Sequence, residues 1–88
     1  MISIERVNDT TFKVTVKGRK VTTHRVSVSP SYYEKLSGGR VTAETLVEKS
    51  FEFLLEREGN ESILKSFDLP VIGRYFPEYE NTIQDMLR

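Results

Sequence analysis

The chain contains no cysteine. That excludes a disulfide framework, a thiolate zinc site and a cysteine nucleophile. It contains one histidine, His24. A general base or an imidazole metal ligand ordinarily has partners of its own kind, and His24 has none. Alternation puts His24 on one strand face with Val26 and Val28, so the expected role is a hydrogen-bonded side chain at a sheet edge or helix contact. No apolar run reaches the length of a membrane span. The opening Met-Ile-Ser-Ile-Glu-Arg lacks the basic region and apolar core of a signal peptide. The expectation is a cytoplasmic protein with no membrane partner. No nucleophile–base pair stands out, because each serine or threonine that can be placed has a turn, cap or strand role. No catalytic, cofactor-binding or metal-binding residue is assigned, and a non-enzymatic function is expected.

What is present suits an ordinary globular protein: 38% of the 88 residues are hydrophobic and 30% are charged. This length makes a single domain, residues 1–88, with a core of small margin that oligomerisation often supplements. Net charge is zero but unevenly spread. Residues 1–40 hold eight basic and three acidic side chains, and the remainder holds five basic and ten acidic. Such asymmetry points either to a polyanion partner for the first half or to attraction between the halves, within one chain or between copies. Overall neutrality favours the second.

Residues 1–29 read as a β-meander. Ile2 and Ile4, with Val7 as a further candidate, begin a first strand, and Asn8-Asp9 supplies turn chemistry. Phe12, Val14 and Val16 alternate with Lys13, Thr15 and Lys17, the period of a half-buried strand. Lys17-Gly18-Arg19-Lys20 reads as a hairpin turn, and "KVTTHRVSVS" as a third strand. Val21 is out of phase with Val26 and Val28, which predicts a bulge or late strand start near Thr22.

Residues 30–88 read as helical. Ser29 caps a short helix with Pro30 at its first position, and Gly38-Gly39 ends it. Those glycines follow a helix and precede no Lys-Ser/Thr pair, so they are a stop and not a phosphate loop. Thr42 caps a longer helix running to about Glu58. Its apolar residues, from Ala43 to Leu55, fan across roughly 200° where about 100° is usual. One sheet cannot cover that arc, so a second surface must. Glu44, Glu48, Glu52 and Glu56 repeat every four residues on the other side. A helical row alone does not supply the shaped set of oxygens a hard cation needs, so it reads as a solvated or ion-pairing face. Asn60 is expected to cap a further helix, "ESILKSF". In "FDLPVIGRYFPEYE", Pro70 and Pro77 forbid one continuous helix. This stretch is the expected second cover, with Phe67, Leu69, Ile72 and Phe76 turned inward. Pro77 is expected to start a last helix through Ile83, Met86 and Leu87.

The segments "THRVSVSPSYYEKLSGG" and "ESILKSFDLPVIGRYFPEYE" resemble a family of small uncharacterised bacterial and archaeal proteins, a likeness that implies no activity. The strand-strand-strand-helix order is also similar to that of HicB-like antitoxin domains, by analogy of order alone. A separate DNA-binding segment is not evident after the helix.

The expected fold is therefore α+β: a three-stranded antiparallel meander followed by helices packed on one face. The leading functional expectation is a protein-interaction module that self-associates as a homodimer. The candidate interaction residues are Arg74, Tyr75, Tyr79 and Tyr32, tyrosine being favoured at interfaces for joining apolar area to a polar tip. Arg74 is expected to pair with Glu78 or Glu80. The alternative is a nucleic-acid-binding or antitoxin-like regulator using the basic sheet face of Lys13, Lys17 and Arg25, helped by Arg19 and Lys20. That face has no stacking aromatic, the usual platform for single strands.

Overall fold

The computed structural model describes residues 1–88, an α+β arrangement of one mixed four-stranded sheet and four helices. Strands β1 (Ile2–Arg6), β2 (Thr11–Lys17) and β3 (Val21–Ser27) form the expected antiparallel meander. Helices α1 (Pro30–Ser37) and α2 (Ala43–Leu55) follow. A single 3-10 turn, Asn60–Ser62, leads to β4 (Ser66–Asp68), then α3 (Val71–Tyr75) and α4 (Tyr79–Met86). No helix is long and apolar enough to cross a membrane.

Two sequence expectations are corrected in the sheet. It has four strands and is mixed, because β4 adds parallel to β3 with Val26 beside Phe67. "ESILKSF" is therefore no helix: its first residues make the 3-10 turn and Ser66-Phe67 pass into a strand. Three residues carry too little alternation to announce a strand, and only β3 as a neighbour makes them one. The second correction concerns Val21. The β2–β3 register runs unbroken from Thr11 opposite Ser27 to Lys17 opposite Val21, with no bulge. Val21 points to the outer face and stays 62% exposed. The inner position at that end goes to Thr22, which has a polar role described below.

The cap and glycine-stop signals hold, but α2 ends at Leu55 short of the expected Glu58, and α4 begins at Tyr79 and not at Pro77. Ser29 Oγ accepts from the Tyr32 amide and Thr42 Oγ1 from the Thr45 amide. Gly38 takes the left-handed conformation, φ 61°, and its amide donates to the Glu34 carbonyl. That backbone state explains the glycine, since a Cβ there is strained.

The core lies between the inner sheet face and the helices, around Phe12, Val14, Val26, Leu46, Phe51 and Leu69. Each such side chain contributes about 1.5–3 kcal/mol by leaving water. The wide apolar arc of α2 is covered from two sides within the chain. Phe51 faces the sheet, with His24 at 5.3 Å and Phe67 at 6.1 Å between ring centroids. Phe53 faces the C-terminal segment, edge-on to Phe76 at 5.9 Å and Tyr79 at 5.2 Å. Leu69 and Ile72 are buried, and Phe67 and Phe76 pack against the core half-buried. The proline-broken stretch is the second cover.

Charge asymmetry is met in part inside the chain. Arg6–Glu44, Lys20–Glu61 and Lys35–Glu80 each join the basic first half to the acidic second half. Arg6 makes a two-pronged contact, Nε and Nη2 each 3.0 Å from a Glu44 carboxylate oxygen. That contact holds the Glu44 carboxyl below its ordinary range.

Candidate interaction surfaces

His24 belongs to a buried polar chain. Its Nδ1 lies 2.7 Å from the Leu64 carbonyl, and its Nε2 lies 2.8 Å from Thr22 Oγ1. A carbonyl only accepts, so Nδ1 carries the proton. Asn60 Nδ2 donates to Thr22 Oγ1 and to the Lys20 carbonyl, both at 2.9 Å. In the neutral ring Nε2 then accepts from the Thr22 hydroxyl. The chain ties β3 and the β2–β3 hairpin to the segment entering β4, and leaves neither His24 nitrogen free.

A second buried polar pair holds the C-terminal cover. Tyr79 is 0% exposed, and its hydroxyl lies 2.6 Å from Ser50 Oγ, which itself donates to the Leu46 carbonyl. Burial pushes the Tyr79 hydroxyl far above the ordinary tyrosine range. This corrects the placing of Tyr79 among the interaction residues. The reason is geometric: α4 begins at Tyr79, so its side chain swings onto α2 as the helix docks.

The other candidates fall on separate surfaces. Tyr32 is half-buried, with its hydroxyl donating to Glu80 at 2.8 Å. Tyr75 is 66% exposed and Arg74 is also exposed. Arg74 is in no ion pair, contrary to expectation, because Glu78 goes to Arg57 and Glu80 to Lys35. Lys13, Lys17 and Arg25 share the outer sheet face, which no helix covers. Lys13 stands directly opposite Arg25 across β2 and β3. None of the three is in an ion pair. The sequence thus brings Lys13, Lys17 and Arg25 together, and leaves Tyr32 and the pair Arg74–Tyr75 elsewhere.

Two features escape a reading of the sequence. The first is the free edge of β1. Its bonds to β2 run through Met1 and Val7 at the two ends, with the Lys17 amide to the Met1 carbonyl at 2.9 Å and the Val7 amide to the Thr11 carbonyl at 2.9 Å. Alternation then directs the amides and carbonyls of Ile2, Ile4 and Arg6 outward, unpaired. Ile2 and Ile4 are half-buried, and Met1 and Val7 are exposed. The second is a hollow of about 160 Å³ beside β4, between α2, the 3-10 turn and α3. Leu64 at its rim is 46% exposed. Neighbouring apolar residues such as Ile63-Leu64 cannot both turn inward from an extended segment, a signal for the exposed one. No protein-family model, curated protein or solved structure matches the chain.

Proposed function

We propose that this chain is a non-enzymatic protein-interaction module that pairs with a second copy of itself through the free edge of β1. The observation that carries the reading is the symmetry of that edge. A two-fold axis at Ile4 sets Ile4 against Ile4 of the other copy and Ile2 against Arg6. All three residues direct their free amides and carbonyls to the edge, so the pairing makes six backbone hydrogen bonds. On the outer face it brings exposed Met1 against exposed Val7, twice. Two of the five exposed large apolar side chains are thereby covered by one operation. An uncovered edge of this kind is a template for a further strand. The result is a continuous eight-stranded sheet. A contact this short buries less than the standard ~800 Å² per partner, so the dissociation constant belongs in the micromolar range, about −8 kcal/mol. A cytoplasmic location is part of the same proposal, a chain without cysteine being compatible with a reducing compartment. His24, with both nitrogens engaged and its ring buried, supports a structural role over a catalytic one.

Sedimentation equilibrium across the micromolar range tests the pairing, with Ile2→Pro as the variant. Proline removes an amide that faces only the edge, so the β1–β2 ladder survives. The expected result is a monomer–dimer equilibrium in the parent chain and a monomer in the variant. A parent chain that stays monomeric at hundreds of micromolar, or a variant that dimerises equally, refutes it.

A second reading has its own observation: Lys13, Lys17 and Arg25, none of them in an ion pair, share an open sheet face on which Glu5 stands opposite Lys13. A basic face with hydroxyls beside it suits the phosphates of a nucleic acid. Binding of labelled RNA or DNA that weakens with salt, and is lost on Lys13→Glu with Lys17→Glu, supports this reading. No binding at low salt removes it.

A further inference from the structure

The opposite edge of the sheet holds a different arrangement. The hollow beside β4 is walled by Leu54, Ile63, Phe67, Ile72 and Phe76, with Leu64 and Tyr75 exposed at the rim. Into this apolar lining the chain puts one carboxylate, that of Glu58. Glu58 is half-buried and takes part in no ion pair. Burial raises its carboxyl above the ordinary range. A carboxylate so placed costs the folded chain free energy until a cation meets it.

The strand above the hollow is itself an edge. The bonds from β3 to this segment run from the Arg25 amide to the Lys65 carbonyl, 2.7 Å, and from the Leu69 amide to the Ser27 carbonyl, 2.8 Å. The amides and carbonyls of Ser66 and Asp68 therefore face away from the sheet. Both residues are exposed.

We infer that this edge and hollow together accept an extended segment of a partner protein, in which an apolar residue and a lysine or arginine stand two positions apart. Main-chain bonds to Ser66 and Asp68 hold the segment, and alternate side chains turn down toward the helices. Residues two apart share that face. The apolar side chain fills the hollow between Leu64 and Tyr75, and the basic one reaches Glu58. Charge complementarity selects the occupant: an acidic segment meets Glu58 with repulsion, and a purely apolar one leaves it desolvated and unpaired. The acceptor lies at the far edge of the sheet from β1 and does not depend on pairing between copies.

The test is a titration of the uniformly ¹⁵N-labelled chain, in its Ile2→Pro form to remove self-pairing, with capped peptides. The probes are acetyl-Thr-Leu-Thr-Lys-Thr-amide, its Lys-to-Glu counterpart, and n-butylammonium. The expected result is amide shifts at Leu64, Ser66, Asp68 and Tyr75 with the lysine peptide. Its affinity should exceed that of the glutamate peptide by about fivefold, roughly 1 kcal/mol. Glu58→Gln should abolish that preference while leaving residual binding of both peptides. Any of these results overturns the inference: no shifts up to ~5 mM peptide, equal affinity for the two peptides, shifts centred elsewhere, or the same shifts at the same affinity from n-butylammonium. The last would identify a site for small amines with no strand addition. Concentration-dependent shifts at these amides without peptide would name a second copy as the occupant, and also overturn it.

Discussion

Removal of the Ser50 hydroxyl gives a prediction whose sign is hard to reach by any other route. In the parent chain the Ser50 proton goes to the Leu46 carbonyl, so Tyr79 donates to Ser50 Oγ at 2.6 Å. Tyr79→Phe removes a donor but leaves Ser50 bonded to Leu46. Its expected cost is the net worth of one hydrogen bond, about 1 kcal/mol. Ser50→Ala is worse. It leaves the Tyr79 hydroxyl without a partner at a position with no solvent exposure, and an orphaned buried group costs ~1–3 kcal/mol. Better helix propensity at an interior α2 position returns about 0.5 kcal/mol. The net expectation for Ser50→Ala is about 1.5 kcal/mol, or roughly 6–12 °C in melting temperature for a domain of this size. The double variant Ser50→Ala with Tyr79→Phe has no orphan, and should return to about 1 kcal/mol below the parent. A second substitution in a damaged core should therefore restore stability. Urea denaturation at pH 7, followed by far-ultraviolet circular dichroism, reads all four corners of the cycle. A double variant less stable than Ser50→Ala alone would refute the reasoning, because the two hydroxyls would then be contributing independently.

Three further predictions concern other parts of the fold. Glu58 has a raised folded-state carboxyl pKa, so its contribution to stability is present below its unfolded pKa and is lost as pH rises through the folded value. Glu58→Gln should stabilise the chain at pH 7, with the difference vanishing below about pH 4.3, whereas Glu44→Gln should destabilise at pH 7 and lose its effect at acid pH. Thermal melts at both pH values check the two signs. Gly38→Ala should cost about 1 kcal/mol through the left-handed backbone at φ 61°, and a substitution at Gly59, which has no positive φ, should cost less. Asn60→Ala should cost about 1–3 kcal/mol. It should also speed hydrogen exchange at the β2–β3 hairpin end, where Asn60 bonds the Lys20 carbonyl and Thr22; exchange unchanged there would exclude the bridging role.

The prospects of self-pairing changed with the tertiary structure. Of two sequence arguments for it, the broad apolar arc of α2 is satisfied within one chain, and the opposed charges of the halves are met there in part. Phe76 and Tyr79 cover Phe53, and Arg6 meets Glu44. What now supports pairing is the backbone of β1 and the exposure of Met1 and Val7, neither of which hydrophobic periodicity reports.

The sequence by itself determined whatever depends on near neighbours. Ser29, Pro30 and Thr42 start helices, Gly38 stops one, and Phe12-Val14-Val16 fixes which face of β2 is buried, because caps and alternation act over a few residues. It also required that something cover α2, since a 200° apolar arc is a property of one helix. Tertiary structure alone decided the rest. Ser66–Asp68 is a strand only because the outward amides and carbonyls of β3 lie alongside to pair with it. Tyr79 is core and Tyr75 is surface only because α4 docks its first residue onto Ser50. Periodicity places both tyrosines in the same proline-flanked stretch, and the choice between them comes from a contact 29 residues away in the chain.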